Sequence, residues 1–450
     1  MFDAKKRIGI WGYGVVGQAA AEFFSQQNAT VAIMDSNHTV QSKIATQYPK
    51  SIFYTQEQAE LFFNGVDHIL VSPGVDIREH YPTIKDKLIT ELDIFNQIWQ
   101  KPFVAVTGSV GKTSVVHFLT DILQHYTIAA VSGGNIGRAS FDLFNDSAAH
   151  MAVVEVSSFQ LERTQTFAPD LAIWTTFCEN HLDRHGTVDD YFTAKLQIIA
   201  HQKPHQKALL PFSLQPLLKK YALPHTNISF FVDQVVTAAE LAQLSMVHDY
   251  FALDTNEIFF WHQGQATLLL DASLLPTITF SLNWLIITAA LHMLMLDIQP
   301  LVYIAQQLTP PPHRLELVAT HNGVTYYNDS KATTVRATMA ALVQLCTKPI
   351  YLLLGGLSKG VDRAPFIGQL PKHVVHVACF GAEADQLCAV ATQAGIAASA
   401  HATLQEAFAT CTAHATPESI VLLSPSGSSY DLFTNYEERG QHFKELVRAL

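Results

Sequence analysis

The chain has 450 residues, 48% of them hydrophobic and 15% charged, with a formal net charge of −11 at pH 7. This length and apolar content support roughly two to four packed domains and exclude a long disordered chain. The acidic balance, without a lysine–arginine block, excludes a typical nucleic-acid binder, and the 5 cysteines, none in a C-x-x-C, read as reduced thiols of a cytoplasmic protein.

Residues 1–100 alternate short apolar runs with helical stretches. No secretory signal is visible, because the apolar run after Arg7 breaks into glycines. "RIGIWGYGVVG" reads as strand, turn and helix start, "ATVAIMD" as a second strand ending at Asp35, and "VDHILVSPGV" as a later one. That βαβ order predicts a parallel sheet. Gly12-Tyr13-Gly14-Val15-Val16-Gly17 fits G-x-G-x-x-G between strand and helix, with Asp35 at the end of the next strand. Such a loop lets backbone approach a phosphate at a helix N-terminus. It suits NAD or another nucleotide, and a ligand-free tight turn remains the plain alternative.

Residues 101–308 open a new α/β unit with "PFVAVTG". The stretch "VAVTGSVGKTSVV" resembles a phosphate-binding loop, although the strict G-x-x-x-x-G-K-[ST] pattern would need a glycine at Val106. The essential parts are present. Gly108 and Gly111 free backbone N–H groups, Lys112 can reach β/γ phosphates, and the Thr113 hydroxyl can ligate Mg²⁺. "HMAVVEVSS" places Glu155 inside an apolar strand, where it is either salt-bridged or a metal ligand. "CENHLDRHG" gathers Glu179, His181, Asp183 and His185 in a surface turn or a polar site. Lys195 lies on a predicted helix among apolar neighbours, a position from which lysines ordinarily reach solvent. "DYFALDTNEIFFWHQGQATLLLD" reads as hairpin strands. "FSLNWLIITAALHMLML", 280–296, is barely long enough to span a bilayer and carries Asn283 and His292, so a buried helix is expected and no membrane span.

The prolines of "LTPPPHRLE", 308–316, mark the next boundary. Residues 309–450 form a third α/β segment with strands near "PIYLLLGG", "HVACFG" and "SIVLLSPS".

Together these motifs resemble the Mur ligases, ATP-dependent amino-acid ligases of peptidoglycan precursor synthesis, and most of all their D-glutamate-adding branch. The matches run nearly end to end, through "GYGVVG", "GGNIG", "EVSSFQLE", "ENHLDRHG", "PHRLE", "NDSKAT", "LLGGLSKGVD" and "SPSGSSYDLFTNYEERG". The resemblance implies three domains: a Rossmann-like N-terminal one, a central P-loop α/β domain with a small added β-sheet, and a Rossmann-like C-terminal one. It further implies ATP, two Mg²⁺ sites and a carbamylated Lys195 as cofactors, with UDP-N-acetylmuramoyl-L-alanine and D-glutamate as substrates. By likeness, Gly108, Ser109, Gly111, Lys112, Thr113, Ser114, Asn283, Arg314 and Asp329 bind ATP. Thr113 and Glu155 hold one Mg²⁺, and His181 and Lys195 the other. Lys112, Lys195, His181 and Lys331 are the implied catalytic residues. Val15, Val16, Asp35, Ser36, Gly74, Asn135, Ser157 and Gln160 match UDP-sugar positions. Thr333, Lys359, Ser429, Tyr430 and Tyr436 match the amino-acid pocket, where a lysine with hydroxyl donors suits a substrate with two carboxylates.

The sequence departs from the family pattern at four places. Ser109-Val110 stands for T-N in the P-loop, and "TTFCENH" for N-I-T before E-N-H. Leu282-Asn283-Trp284-Leu285-Ile286 stands for H-N-x-x-N, and Tyr430 and Tyr436 for common Leu and Phe. Ile286 therefore either walls the base pocket or extends the apolar core. Two other readings stay open: a sister amide ligase, though the D-N-P-R motif of the diamino-acid enzyme is absent, and a nucleotide-binding relative or NAD oxidoreductase without ligase activity.

Overall fold

A computed structural model of the chain describes residues 6–221, 227–358 and 360–450. Three helix-flanked sheets follow one another along the sequence. The first has five parallel strands in the order Ile52–Tyr54, Thr30–Met34, Arg7–Trp11, His68–Val71 and Leu88–Ile89. Their apolar runs are buried between helices, as an all-parallel sheet requires.

The second sheet has nine strands. From one edge they are Ala130–Gly134, Met151–Glu155, Phe103–Thr107, Leu171–Trp174, Lys207–Pro211, Asn227–Phe231, Asp249–Asp254, Glu257–His262 and Gln265–Asp271. The last two pair antiparallel and the rest parallel. The expected hairpin strands are present, but they extend the edge of the central sheet. Gln263 and Gly264, both at positive φ, turn the second hairpin, the geometry that matches strand twist.

The third sheet runs Glu316–His321, Val324–Asn328, Ile420–Leu423, Ile350–Gly355, Val374–Phe380 and Ala398–His401, with only the first pair antiparallel. The apolar run after Phe280 forms the helix Ser281–Met293, whose Trp284 stacks on Phe118 of the helix Lys112–His125. Among the described residues no helix is long and apolar enough to cross a membrane.

Parallel strands all leave a sheet at the same edge, so the loops after them gather there. The loops after His68–Val71, Phe103–Thr107, Met151–Glu155, Val324–Asn328 and Ile420–Leu423 all reach one cleft.

Candidate active site

The cleft encloses about 400 Å³ and is lined from all three sheets. Gly74 comes from the first, Gly108, Ser109, Val110, Lys112, Thr113, Asn135, Glu155, Ser157, His181 and Lys195 from the second, and Arg314, Lys331, Thr333, Ser429, Tyr430 and Tyr436 from the third.

The short glycine loop leads from the buried strand Phe103–Thr107 into the helix Lys112–His125. Gly108 has φ of +142°, and a Cβ there would stand 2.1 Å from Thr175 Oγ1, so only glycine fits. Gly111 caps the helix in a left-handed conformation, and no acidic residue sits in the first turn. The exposed helix N–H groups therefore form an anion site. Lys112 Nζ donates to Gly108 O at 2.8 Å, which folds the side chain back over the loop, and burial pulls its pKa down. The Ser109 hydroxyl is tied to Cys178 O and Tyr191, and its N–H donates to Thr176 O at 2.8 Å, so this residue fastens the loop.

Thr113 Oγ1 donates to Glu155 Oε2 at 2.7 Å, and Asn135 Nδ2 donates to Glu155 Oε1 at 2.9 Å. Glu155 is 1% exposed. Burial alone would push its carboxyl up, but Lys331, Lys112 and these two donors outweigh it and hold the pKa below the usual range. The site thus keeps a carboxylate and a hydroxyl, hard oxygen donors beside a phosphate loop, and this set fits Mg²⁺ shared between protein and phosphate oxygens. Among the described residues there is no cluster of three or more His, Cys, Asp or Glu placed to hold a metal.

Lys195 does not reach solvent. It is 2% exposed, its Nζ lies 3.2 Å from both Thr107 Oγ1 and Gly108 O, and it sits 4.9 Å over the Tyr191 ring. Burial first, then Lys112, depresses its pKa well below the ordinary lysine value. A buried amine held neutral is a nucleophile for CO₂, and the carbamate would supply the oxygen ligand that an amine lacks. His181 caps the short helix Leu182–His185 at φ +56°, and its ring meets Phe159 edge-on at 4.8 Å. Tyr191 was not anticipated, although its spacing of four from Lys195 on one helix was the available signal.

From the third sheet, Lys331 Nζ stands 4.7 Å over the Tyr436 ring, and burial lowers its pKa to about 8. Arg314 reaches both the cleft and a small adjoining cavity that Ser114 and Asp329 line. Asp329 is pushed up to about 7 by burial, against Arg314 and a bond from Ser424 Oγ at 2.9 Å. Ser428 and Glu437, unmarked in the sequence reading, also line the cleft. Lys359 lies outside the described residues.

Beside the glycine loop lies a more apolar pocket of about 490 Å³, walled by Gly111, Asn283, Thr279, Arg336 and Met339. Asn283 stands there with its Nδ2 bonded to Thr279 Oγ1 at 2.8 Å. Ile286 does not face it. It is 0% exposed inside the central core, so the apolar reading of that position holds.

The first glycine loop leads into the helix Val15–Gln26. Asp35 Oδ2 accepts from Tyr13 N at 2.5 Å and Oδ1 from Asn37 N at 2.7 Å, which pins the loop to the neighbouring strand. Val15 and Ser36 are exposed beside it, and Val16 and Gln160 line a narrow adjoining cavity. Gln160 is anchored by Ser157 and by Glu91 Oε2 at 3.1 Å.

Three family models match: "Mur ligase MurD-like, N-terminal domain" over residues 6–94, "Mur ligase middle domain" over 106–249 and "Mur ligase, glutamate ligase domain" over 313–427. The UDP-N-acetylmuramoylalanine–D-glutamate ligase of Koribacter versatilis is 32% identical over 99% of this chain and 98% of its own length. The enzyme of that name from Shouchella clausii is 29% identical over 99% and 97%. Among solved structures, the UDP-N-acetylmuramate–alanine ligase of Thermotoga maritima aligns over 99% of both chains with a TM-score of 0.60 at 15% identity. A folylpolyglutamate synthase of Mycobacterium tuberculosis covers 78% of this chain and 94% of its own, with a TM-score of 0.57 at 13% identity. At those identities the structures speak for the fold alone.

Proposed function

The chain belongs to the Mur ligase family, and we propose that it joins D-glutamate to UDP-N-acetylmuramoyl-L-alanine in peptidoglycan precursor synthesis, in the cytoplasm, with hydrolysis of ATP to ADP and phosphate. The observation that carries this reading is one cleft holding Lys112, the Thr113–Glu155 pair and Lys195 from the central sheet opposite Lys331 from the third. In this reading residues 1–100 take the UDP-sugar, 101–308 the ATP, and 309–450 the amino acid.

The substrate carboxylate attacks the γ-phosphorus of ATP and ADP leaves. The amine of D-glutamate then adds to the acyl phosphate carbonyl, and the tetrahedral intermediate expels phosphate. Catalysis of such transfers is mostly positioning and charge neutralisation. Helix N–H groups after Gly111 and the Lys112 ammonium hold the β/γ phosphates. Lys331 faces them from the opposite wall, close enough to Glu155 that each steadies the other's charge. Thr113 and Glu155 would hold one Mg²⁺, and His181 with a carbamylated Lys195 a second; the ions would neutralise phosphate oxygens. The pocket at Asn283 takes the base, Arg314 and Asp329 meet the nucleotide from the third sheet, and Thr333, Lys359, Ser429, Tyr430 and Tyr436 receive D-glutamate.

The test is coupled ADP and phosphate release with a panel of amino acids. Turnover that needs UDP-N-acetylmuramoyl-L-alanine, ATP, Mg²⁺ and D-glutamate together is the expected result. Turnover with L-alanine or a diamino acid instead would make the chain a sister ligase, and no turnover with any would make it a silent relative.

A further inference from the structure

The third sheet contains a charge that the proposed chemistry does not use. Arg439, in the helix Tyr436–Arg448, is 0% exposed, and no described carboxylate forms an ion pair with it. Asp431 acts on it only at longer range, and burial lowers its pKa to about 9, so it stays charged at pH 7. A buried guanidinium without a carboxylate is costly unless its hydrogens are spent on something. Nε donates to Ser330 Oγ at 3.0 Å, and Nη2 donates to Ser330 O at 2.8 Å and to Gly427 O at 3.1 Å. Nη1 has no hydrogen-bond partner among the described residues and packs against Gly356, where an added Cβ would stand 3.0 Å away. Leu357 and Ser428 are in turn joined through both backbone bonds, at 3.0 and 2.9 Å.

The carbonyls that Arg439 binds stand directly before cleft-lining residues. Ser330 precedes Lys331 and Thr333, and Gly427 precedes Ser428, Ser429 and Tyr430. We infer that Arg439 is a positioning residue that clamps residues 330–333 and 427–430 into one rigid surface for the incoming amino acid and the transferred phosphate. A planar fork whose donors point in fixed, separate directions holds two loops in one geometry, whereas the three donors of a lysine ammonium rotate about a single atom. The inference rests on the ligase reading for its kinetic consequence and stands without it for its structural one.

The experiment compares the full-length wild-type protein with Arg439→Lys. Amide hydrogen exchange is expected to quicken at least tenfold in both segments, and to stay unchanged in the P-loop and in the helix Leu404–His414. The KM for D-glutamate is expected to rise at least tenfold, while UDP-sugar affinity stays within twofold. Millimolar guanidinium chloride, and not sodium chloride, should restore part of the activity of Arg439→Ala. A folded Arg439→Lys protein with wild-type exchange and D-glutamate KM would overturn the clamp. Exchange that quickens throughout the third sheet would also overturn it, since it would mark general support of the fold. Should Arg439→Lys not fold, Ser330→Ala removes the acceptor of Nε together with the Ser330 Oγ bond to Tyr436 O, and a D-glutamate KM and exchange pattern equal to wild type would overturn the clamp there. A wild-type protein inactive with D-glutamate sinks the ligase reading, and the exchange data still decide the clamp.

Discussion

Lys195 shows how burial can change what a residue is for. Among the described residues its amine meets a hydroxyl, a carbonyl and an aromatic face, and burial lowers its pKa well below the ordinary lysine value, which favours the neutral form that can attack CO₂. Lys195→Ala is expected to lose about 10²–10³-fold in kcat, the usual cost of removing one group that stabilises developing charge. Short-chain carboxylates should restore part of that loss by supplying oxygens, and depletion of CO₂ should slow the wild type. An alanine variant at full rate without additives would remove Lys195 from the chemistry. At position 359, loss of a charge-assisted contact worth about 1.5–3 kcal/mol predicts a D-glutamate KM about 10- to 150-fold higher in Lys359→Ala, with the ATP KM unchanged. An unchanged D-glutamate KM would place the carboxylate elsewhere. The residues proposed for phosphate or metal chemistry could be picked out in the sequence because few side chains can do that work, as with Lys112, Thr113 and Glu155. Their supports were not visible. Tyr191 and Arg439 act across long gaps in sequence, the first on Ser109 and the second on Ser330 and Gly427. For Tyr191 the only local signal is its spacing of four from Lys195, and no local pattern announces Arg439.

Elements repeat the lesson at larger spacing. The parallel strands stood out as short apolar runs between turn residues, because a strand covered on both faces excludes polar side chains. What a one-dimensional pattern omits is which strand neighbours which. The hairpin strands of 249–271 were foreseen, but not their pairing onto the strand Asn227–Phe231 that makes them an edge of the central sheet. The helix Ser281–Met293 carries the same ambiguity, since its run of apolar residues fits core and pocket wall equally. The fold resolves it, with Asn283 lining the pocket beside the glycine loop and Ile286 among Val115, Leu119 and Ile287 in the core cluster. Ile286→Asn should therefore act on stability. It strips the aliphatic contacts of a core side chain and buries an amide with no partner provided, together about 2–5 kcal/mol. The urea midpoint should fall, and the folded fraction should keep parental ATP and GTP kinetics. A variant of unchanged stability with altered discrimination between the two nucleotides would return this position to the base pocket.

At the scale of the whole molecule, the cleft exists only because the third sheet is held over the second. Arg336 Nη1 donates to Phe177 O at 3.3 Å and Gln344 Nε2 to Thr277 O at 2.7 Å across that boundary. Such bonds can be broken and remade, which would suit the proposed ligase, whose cleft would have to admit its substrates and then close around them. Ionisation is spread over the same architecture and makes stability depend on pH in a direction that can be worked out. Burial depresses His68 in the first sheet, His185, His248 and His292 in the second, and His313 and His376 in the third. In the unfolded chain these groups titrate near 6.5. As pH falls below that value the unfolded chain takes up protons that the folded one refuses, so their contribution is complete above about 6.5 and is lost toward acid. Asp329, raised to about 7, and Glu91, also raised by burial, act oppositely: the folded state holds protons that the unfolded one has released, and their contribution fades as pH rises. Six histidines set against two carboxylates give a net uptake of protons on unfolding at mildly acid pH. The urea midpoint of the unliganded protein should therefore fall steadily between pH 7.5 and 5.5, and titration should show proton uptake on unfolding across that window. A midpoint that rises toward pH 5.5 would mean that the two buried carboxylates govern the balance and that the histidines unfold no more readily when protonated.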